Sequence, residues 1–348
     1  MGDLATKGTT MSNEPRPRRL PLRLISASVL VLGIMTAFGS LSWRGARFPG
    51  FLVMPNRVVP SAGLPSWSGV SDGQPPYQEV LLAVDDTPVT SAADAYRRAA
   101  AHRVGEPARY TFARDGAVET RTYPLRRFTD TEYLAFFGAY LIAGLAHLLL
   151  AWCAAERWQE GPMCRGLAIF GWAAAVFAFT AMDLYGPGRF FRLHALAEAS
   201  LSAAAIHLAL VCPRDRLAGR SGILVLAYGF GIALATVYQL FLHDPHAYSI
   251  VHNFAQGFGS VPVLAFSGFV ALSLTDPPAA LGPAGVRRLL VGVLLGLIAP
   301  ALLFGLSAAS GGSLPVNAAA WVGFAFPLAA IAALRAAPHA AGTSRYSS

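Results

Sequence analysis

Eight polar or ionisable residues interrupt the apolar stretches of this chain: His147, Asp183, His194, Glu198, His207, His252, Asn253 and Gln256. Placing such groups in lipid costs several kcal/mol each, so they are expected to face a bundle interior or an interface. Asp183, His252 and Asn253 fall near the ends of apolar runs and read as wetted interface residues. His147, His194, Glu198 and His207 are the intramembrane polar candidates. Glu198 is the deepest acid, and His194 lies one helical turn before it in "HALAE". A His–Glu pair at that spacing forms a structural hydrogen bond, switches with protonation or contributes to a ligand pocket, and all three roles stay open.

Catalytic and metal chemistry find less support. A zinc protease site needs H-E-x-x-H on a span, with two His one turn apart and a Glu base. That motif is absent, and His207 lies about 220° around the helix and roughly 20 Å along it from His194. A rhomboid-type G-x-S-G is missing too: "AFSG" at Ser267 lacks the first Gly, and "GFGS" at Gly257 has the wrong order. Bis-histidine haem ligation by two of His147, His194, His207 and His252 has no supporting motif. Cys153, Cys164 and Cys212 lack metal-ligand spacing and imply no disulfide framework. The expectation is a protein that is not an enzyme, with no catalytic residue, metal or cofactor.

The elements that carry these residues follow from composition. With 54% hydrophobic and 13% charged residues over 348 positions, the charges cannot cover a soluble globule of this size. A formal charge of +8 raises the question of nucleic acid, but every basic residue except Lys7 is Arg, and these lie scattered between apolar runs rather than in one stripe. They read as topology signals, and no nucleic-acid partner is expected. The partner that composition does demand is a lipid bilayer.

A helix needs about 20 apolar residues to cross roughly 30 Å of hydrocarbon. Such runs fall near 22–43, 131–154, 164–185, 191–212, 222–242, 250–274, 288–309 and 316–335, which makes eight candidate spans. Arg16, Arg18, Arg19 and Arg23 precede the first, so the positive-inside rule places residues 1–21 in the cytoplasm and 44–130 outside. Following the crossings, the loops with Arg157 and Arg165, with Arg214, Arg216 and Arg220, and with Arg287 and Arg288 fall inside. The tail 336–348 with Arg345 does too, against the exception of Arg189 and Arg192 in an outside loop. The basic flank and small residues of the first span also fit a cleavable signal peptide, but Leu24 to Trp43 has the length of a span, so an uncleaved anchor is expected. The location is then a bacterial inner membrane, crossed many times, with 131–335 as a seven-helix bundle and both termini cytoplasmic.

The hydrophilic insert reads element by element. Val80 to Val84 is an apolar strand running into the turn Asp85-Asp86. Ser91 with Asp94 forms the start of a helix that Gly105 closes, its apolar face carried by Ala95, Tyr96, Ala99 and Ala100. Tyr110 and Phe112 alternate with polar neighbours, and Asp115-Gly116 is a hairpin turn. The fold class is therefore mainly α, a polytopic helical membrane protein of about eight spans with one small extracytoplasmic α+β domain.

The succession "VLLAVDDTPVTSAADAYRRAAAHRVGEPARYTFARDG" resembles the second half of a bacterial PDZ domain of the kind found in envelope proteases. The resemblance implies a groove that takes an extracytoplasmic peptide or protein C-terminus as an added strand, with backbone N–H groups holding its carboxylate. The matching loop would be "FPGFLV", with Phe48, Gly50, Phe51, Leu52 and Val53. "HLALVCP" and "FAFPLAAIAALR" are similar to segments in the multi-span sensor region of bacterial histidine kinases, including the competence quorum-sensing kinase. Its order of one span, an outside PDZ-like insert and about seven spans is the order deduced here. Kinase activity is not implied, because the resemblance stops at the last span. The expected role is a non-catalytic sensor or signal-input protein that reads an external peptide or protein and relays it through the bundle to a separate cytoplasmic kinase or other output partner. The alternatives are a membrane scaffold or envelope assembly factor that docks proteins through the PDZ-like groove, and a transporter, for which Pro262 and Pro300 would break helices mid-span.

Overall fold

The computed structural model describes residues 19–69, 75–218 and 220–336. The stretch with Arg16 and Arg18, and the tail after Ala336 with Arg345, lie outside the described residues. Among the described residues, eight helices are long and apolar enough to cross a membrane: Leu20–Trp43, Asp130–Glu156, Pro162–Leu184, Phe191–Val211, Gly222–Phe241, Pro245–Leu272, Gly282–Ala309 and Ala319–Ala336, here spans 1 to 8.

Two of these begin earlier than the apolar runs predict, each with a proline in its first turn. Span 6 starts at Pro245, with the Asp244 carboxylate accepting from the N–H groups of His246 and Ala247 at 3.0 Å and the proline occupying the first helical position. His252 is therefore two turns inside a helix, and not a wetted end residue as the apolar run suggests. Span 7 starts at Gly282, ahead of Arg287 and Arg288, and carries a wide π-type turn at Leu294–Ile298 just before Pro300. A second such turn, Leu134–Gly138, opens span 2 after a capping box of Thr129 and Glu132.

Spans 2, 3, 4, 6, 7 and 8 pack in succession, and span 8 returns against span 2 to close a ring. Small residues let the helices approach: a Cβ at Gly292 or Gly296 of span 7 would collide with Ala329 or Phe326 of span 8, and one at Gly171 of span 3 with Ala151 of span 2. Span 1 packs on spans 2 and 3, and span 5 on span 4, so both flank the ring. They leave large apolar side chains bare, with Phe38 71% and Leu226 75% exposed, as helices facing a bilayer do.

The insert between spans 1 and 2 holds two sheets. Strands β1 (Arg47–Phe48) and β6 (Arg126–Arg127) pair antiparallel at its base. The other sheet has order β3-β2-β4-β5, from β2 (Val80–Val84), β3 (Thr87–Pro88), β4 (Pro107–Arg114) and β5 (Ala117–Pro124), all antiparallel. Asp85-Asp86 and Asp115-Gly116 are the two-residue turns expected, every one of these four residues at positive φ. The helix Ala92–Ala99 starts at Ser91, whose hydroxyl accepts from the Asp94 N–H at 3.2 Å. It ends before the predicted stop at Gly105, because the chain tightens after Ala99 and the His102 ring turns back to the Asp85 carboxylate at 2.6 Å. Phe51, Tyr110, Phe112 and Tyr123 stack edge to face in the core beneath the sheet.

This domain is not suspended from the bundle by its two linkers. Phe48, Leu52, Met54, Val58, Trp67 and Phe128 share one apolar cluster with Trp43, Phe136, Tyr185, Phe191, Tyr238 and Tyr248 of the spans. Polar bonds seal the seam: Asn56 Nδ2 donates to the Leu242 carbonyl at 3.2 Å, the Gly63 N–H to Asn317 Oδ1 at 3.0 Å, the Val316 N–H to the Ser61 carbonyl at 2.8 Å, and Trp67 Nε1 to Glu132 at 3.1 Å. Residues 52–67 thus form a plug set into one end of the ring.

Candidate functional site: a carboxylate-lined cavity under the plug

Inside the ring lies a cavity of about 210 Å³. Its walls come from spans 2, 3, 4, 6, 7 and 8, and Met54 with Pro60, Ser61 and Ala62 of the plug close it on the domain side. Most of the lining is apolar, including Phe170, Phe177, Leu201, Val263 and Leu297. The polar exceptions include His147, His194, Glu198, His252 and Gln256. Three of the four intramembrane candidates therefore meet at one site.

Glu198 is the centre of a network that differs from the expected pair with His194. Its Oε2 accepts from the Tyr238 hydroxyl at 2.6 Å and lies 3.0 Å from His252 Nδ1. His252 stacks on Tyr248 at 5.5 Å and 13°, and its Nε2 is 2.8 Å from the Gln256 side-chain amide. Spans 4, 5 and 6 are thus joined through one carboxylate. The other oxygen, Glu198 Oε1, is buried without a hydrogen-bond partner. Such an atom in a residue only 6% exposed is costly unless something fills the space beside it.

His194 is turned away from Glu198 by span 3. Its ring stacks on Phe177 at 4.8 Å, and Nδ1 lies 3.0 Å from Thr180 Oγ1. The single Thr180 hydroxyl proton goes to the Val176 carbonyl at 2.7 Å, so Thr180 accepts from His194 Nδ1–H, and Nε2 is an acceptor whenever the ring is neutral. The same reasoning holds for His147, whose Nδ1 donates to the Ala143 carbonyl at 2.9 Å. His207 is separate: it bonds the Tyr228 hydroxyl at 2.7 Å and does not line the cavity. Asp183 closes the turn between spans 3 and 4 by accepting from the Phe190 N–H at 2.7 Å. Among the described residues, no three His, Cys, Asp or Glu side chains are grouped so as to hold a metal ion.

Sequence reasoning overlooked Tyr238 and Thr180 and misplaced His252. A signal was present in span 6, where His252, Gln256 and Ser260 recur every fourth residue and mark a polar stripe on an apolar helix. Tyr238 had no such mark.

The loop expected to hold a peptide carboxylate is packed inward. Phe48, Leu52 and Val53 have no exposed surface and Phe51 only 2%. Gly50 sits at φ +82, where a Cβ would collide with the Ser68 hydroxyl, so glycine is required for packing. The Tyr96 hydroxyl accepts from the Val53 N–H at 2.6 Å and lies 3.3 Å from the Val53 carbonyl, and its ring meets Trp43 of span 1 edge-on at 5.1 Å.

No family model, curated protein or solved structure matches this chain.

Proposed function

We propose that the chain is a non-catalytic membrane input protein, in which an extracytoplasmic PDZ-like domain and a helix ring act as one unit that passes a state to a cytoplasmic output partner. The observation that carries this reading is the plug: Met54 and Pro60 to Ala62 belong to the outer domain and are also wall residues of the cavity between the spans. Anything that shifts the domain reshapes the ring, and the reverse holds by linkage. The strand, turn, helix and hairpin order supports the PDZ-like assignment. A peptide or protein end would then enter by displacing Tyr96, which makes the closed slot the resting state. Orientation rests on the Arg-bearing ends of the spans: Arg157 donates to the Leu334 carbonyl, Arg214 pairs with Asp276 and Arg288 donates to the Ala332 carbonyl, all at the end away from the plug.

The test is to break the seam without touching the cavity. Asn317→Ala removes the acceptor for the Gly63 N–H, and hydrogen exchange is read across the loop after span 4 in lipid nanodiscs. Faster exchange near Arg214 and Arg216, at the far end of the ring, is the expected result. Unchanged exchange there, with faster exchange confined to residues 60–63, would reduce the domain to a docking module without relay.

A further inference from the structure

We propose that the cavity is a binding site for a small apolar molecule carrying one ammonium group, seated against Glu198. This goes beyond the input reading and does not depend on it, because the site exists whether or not its occupancy is relayed.

Size comes first. A 150 Å³ apolar cavity accommodates benzene, so about 210 Å³ suits on the order of ten non-hydrogen atoms. Chemistry comes from the polar edge. Tyr238 and His252 both address Oε2, which leaves Oε1 as a carboxylate oxygen with unused lone pairs, buried and without a partner. His147 and His194 each spend the Nδ1 proton on the protein, so Nε2 is left as an acceptor on each neutral ring, and both residues line the chamber. No Lys or Arg is among the wall residues. A carboxylate and two imidazole acceptors in a chamber without a cationic side chain favour a head with several donors and a positive charge. Phe177 and Phe170 add aromatic faces to the same wall. The walls of Leu201, Val263 and Leu297 have no use for a second polar end, which sets the remainder of the molecule as hydrocarbon.

The experiment uses the full chain in nanodiscs and isothermal titration with 2-phenylethylamine and with acetophenone, a probe of the same size that only accepts hydrogen bonds. The amine is expected to bind at least tenfold tighter. Glu198→Gln should remove that preference by weakening the amine about tenfold while leaving acetophenone unchanged. Ala301→Phe, which fills the cavity from span 7, should abolish heat from both probes. Equal affinity for the two probes, preference for acetophenone, amine binding that survives Glu198→Gln, or saturable binding to the filled variant would each overturn the proposal. If Glu198→Gln does not fold, the amine-to-acetophenone ratio in the unmodified chain and the filled variant still decide it.

Discussion

The Tyr96 hydroxyl occupies both main-chain groups of Val53, accepting from its N–H at 2.6 Å and lying 3.3 Å from its carbonyl oxygen. A strand added at this position would pair through such groups, which one side chain of the domain's own helix holds. Tyr96→Phe keeps the edge-on contact with Trp43 and frees both groups. Exchange at the Val53 amide should accelerate, and stability should fall by about 1 kcal/mol. If the slot is a peptide site, peptides with a free C-terminus should bind this variant better than the parent chain. Unchanged Val53 exchange would remove Tyr96 as the gate.

Glu198 tests the intramembrane network. Glu198→Leu removes the acceptor that the Tyr238 hydroxyl and the His252 ring share and leaves them the longer 3.2 Å contact with each other, which should cost about 1–3 kcal/mol in thermal or detergent unfolding. Glu198→Gln retains an acceptor for Tyr238 and should lose much less. Equal losses would mean that packing volume, and not hydrogen bonding, is what Glu198 supplies.

In the domain between spans 1 and 2, the His102–Asp85 contact at 2.6 Å gives a pH dependence with a definite sign. The Asp85 hydrogen bond, opposed by partial burial and aided by Glu106, raises the His102 pKa above its usual value. For Asp85, partial burial pushes upward, but the Arg109 N–H and the His102 ring outweigh it and hold the carboxyl below the usual range. The His102 contribution is therefore full below an unfolded value of about 6.5 and is lost as pH rises through the raised folded value. The Asp85 contribution is full above about 3.9 and is lost as pH falls through the lowered one. With Asp85 38% exposed, solvent screening limits the pair to under about 1 kcal/mol. His102→Gln should flatten the stability profile on its neutral side only, as read by intrinsic fluorescence melts from pH 5 to 8.

Topology is open to a direct check. Reporter fusions at Gly116, in the hairpin, and at Gly161, between spans 2 and 3, should give opposite compartment signals, Gly116 outside and Gly161 inside. Matching signals would remove the eight-span arrangement.

Much of the architecture was legible in the sequence, because crossing a bilayer and turning a hairpin are local requirements. The eight apolar runs, the Ser91–Asp94 cap and the Asp85-Asp86 and Asp115-Gly116 turns each declare themselves within a few residues. The site was legible in its membership and not in its wiring. His147, His194 and Glu198 stand out as polar groups in apolar helices, but the partners of Glu198 are 40 and 54 residues away, and no local pattern specifies them. His194 sits one turn from Glu198, yet Thr180 and the Phe177 face in span 3 claim its ring. The plug was illegible for a related reason. Residues 52–67 contain no strand or helix, and their structure is set by partners distant in sequence, the spans on one side and Glu79 and Leu81 along β2 on the other.

The pairing of Arg47 with Arg127 and Phe48 with Arg126 means that the chain leaves span 1 and returns to span 2 at neighbouring points, with Cα atoms about 5 Å apart. Seen along the chain, the residues between are a cassette whose two covalent ends meet at one place. Spans 1 and 2 would accept a short loop in its place, and the same base would accept a foreign domain whose ends lie equally close. What such an exchange must carry with it is the stretch 52–67, because without the plug the chamber between the helices stands open at one end. Since Arg57 and Val59 hydrogen-bond with Leu81 and Glu79 along β2, any replacement must build that underside against its own sheet.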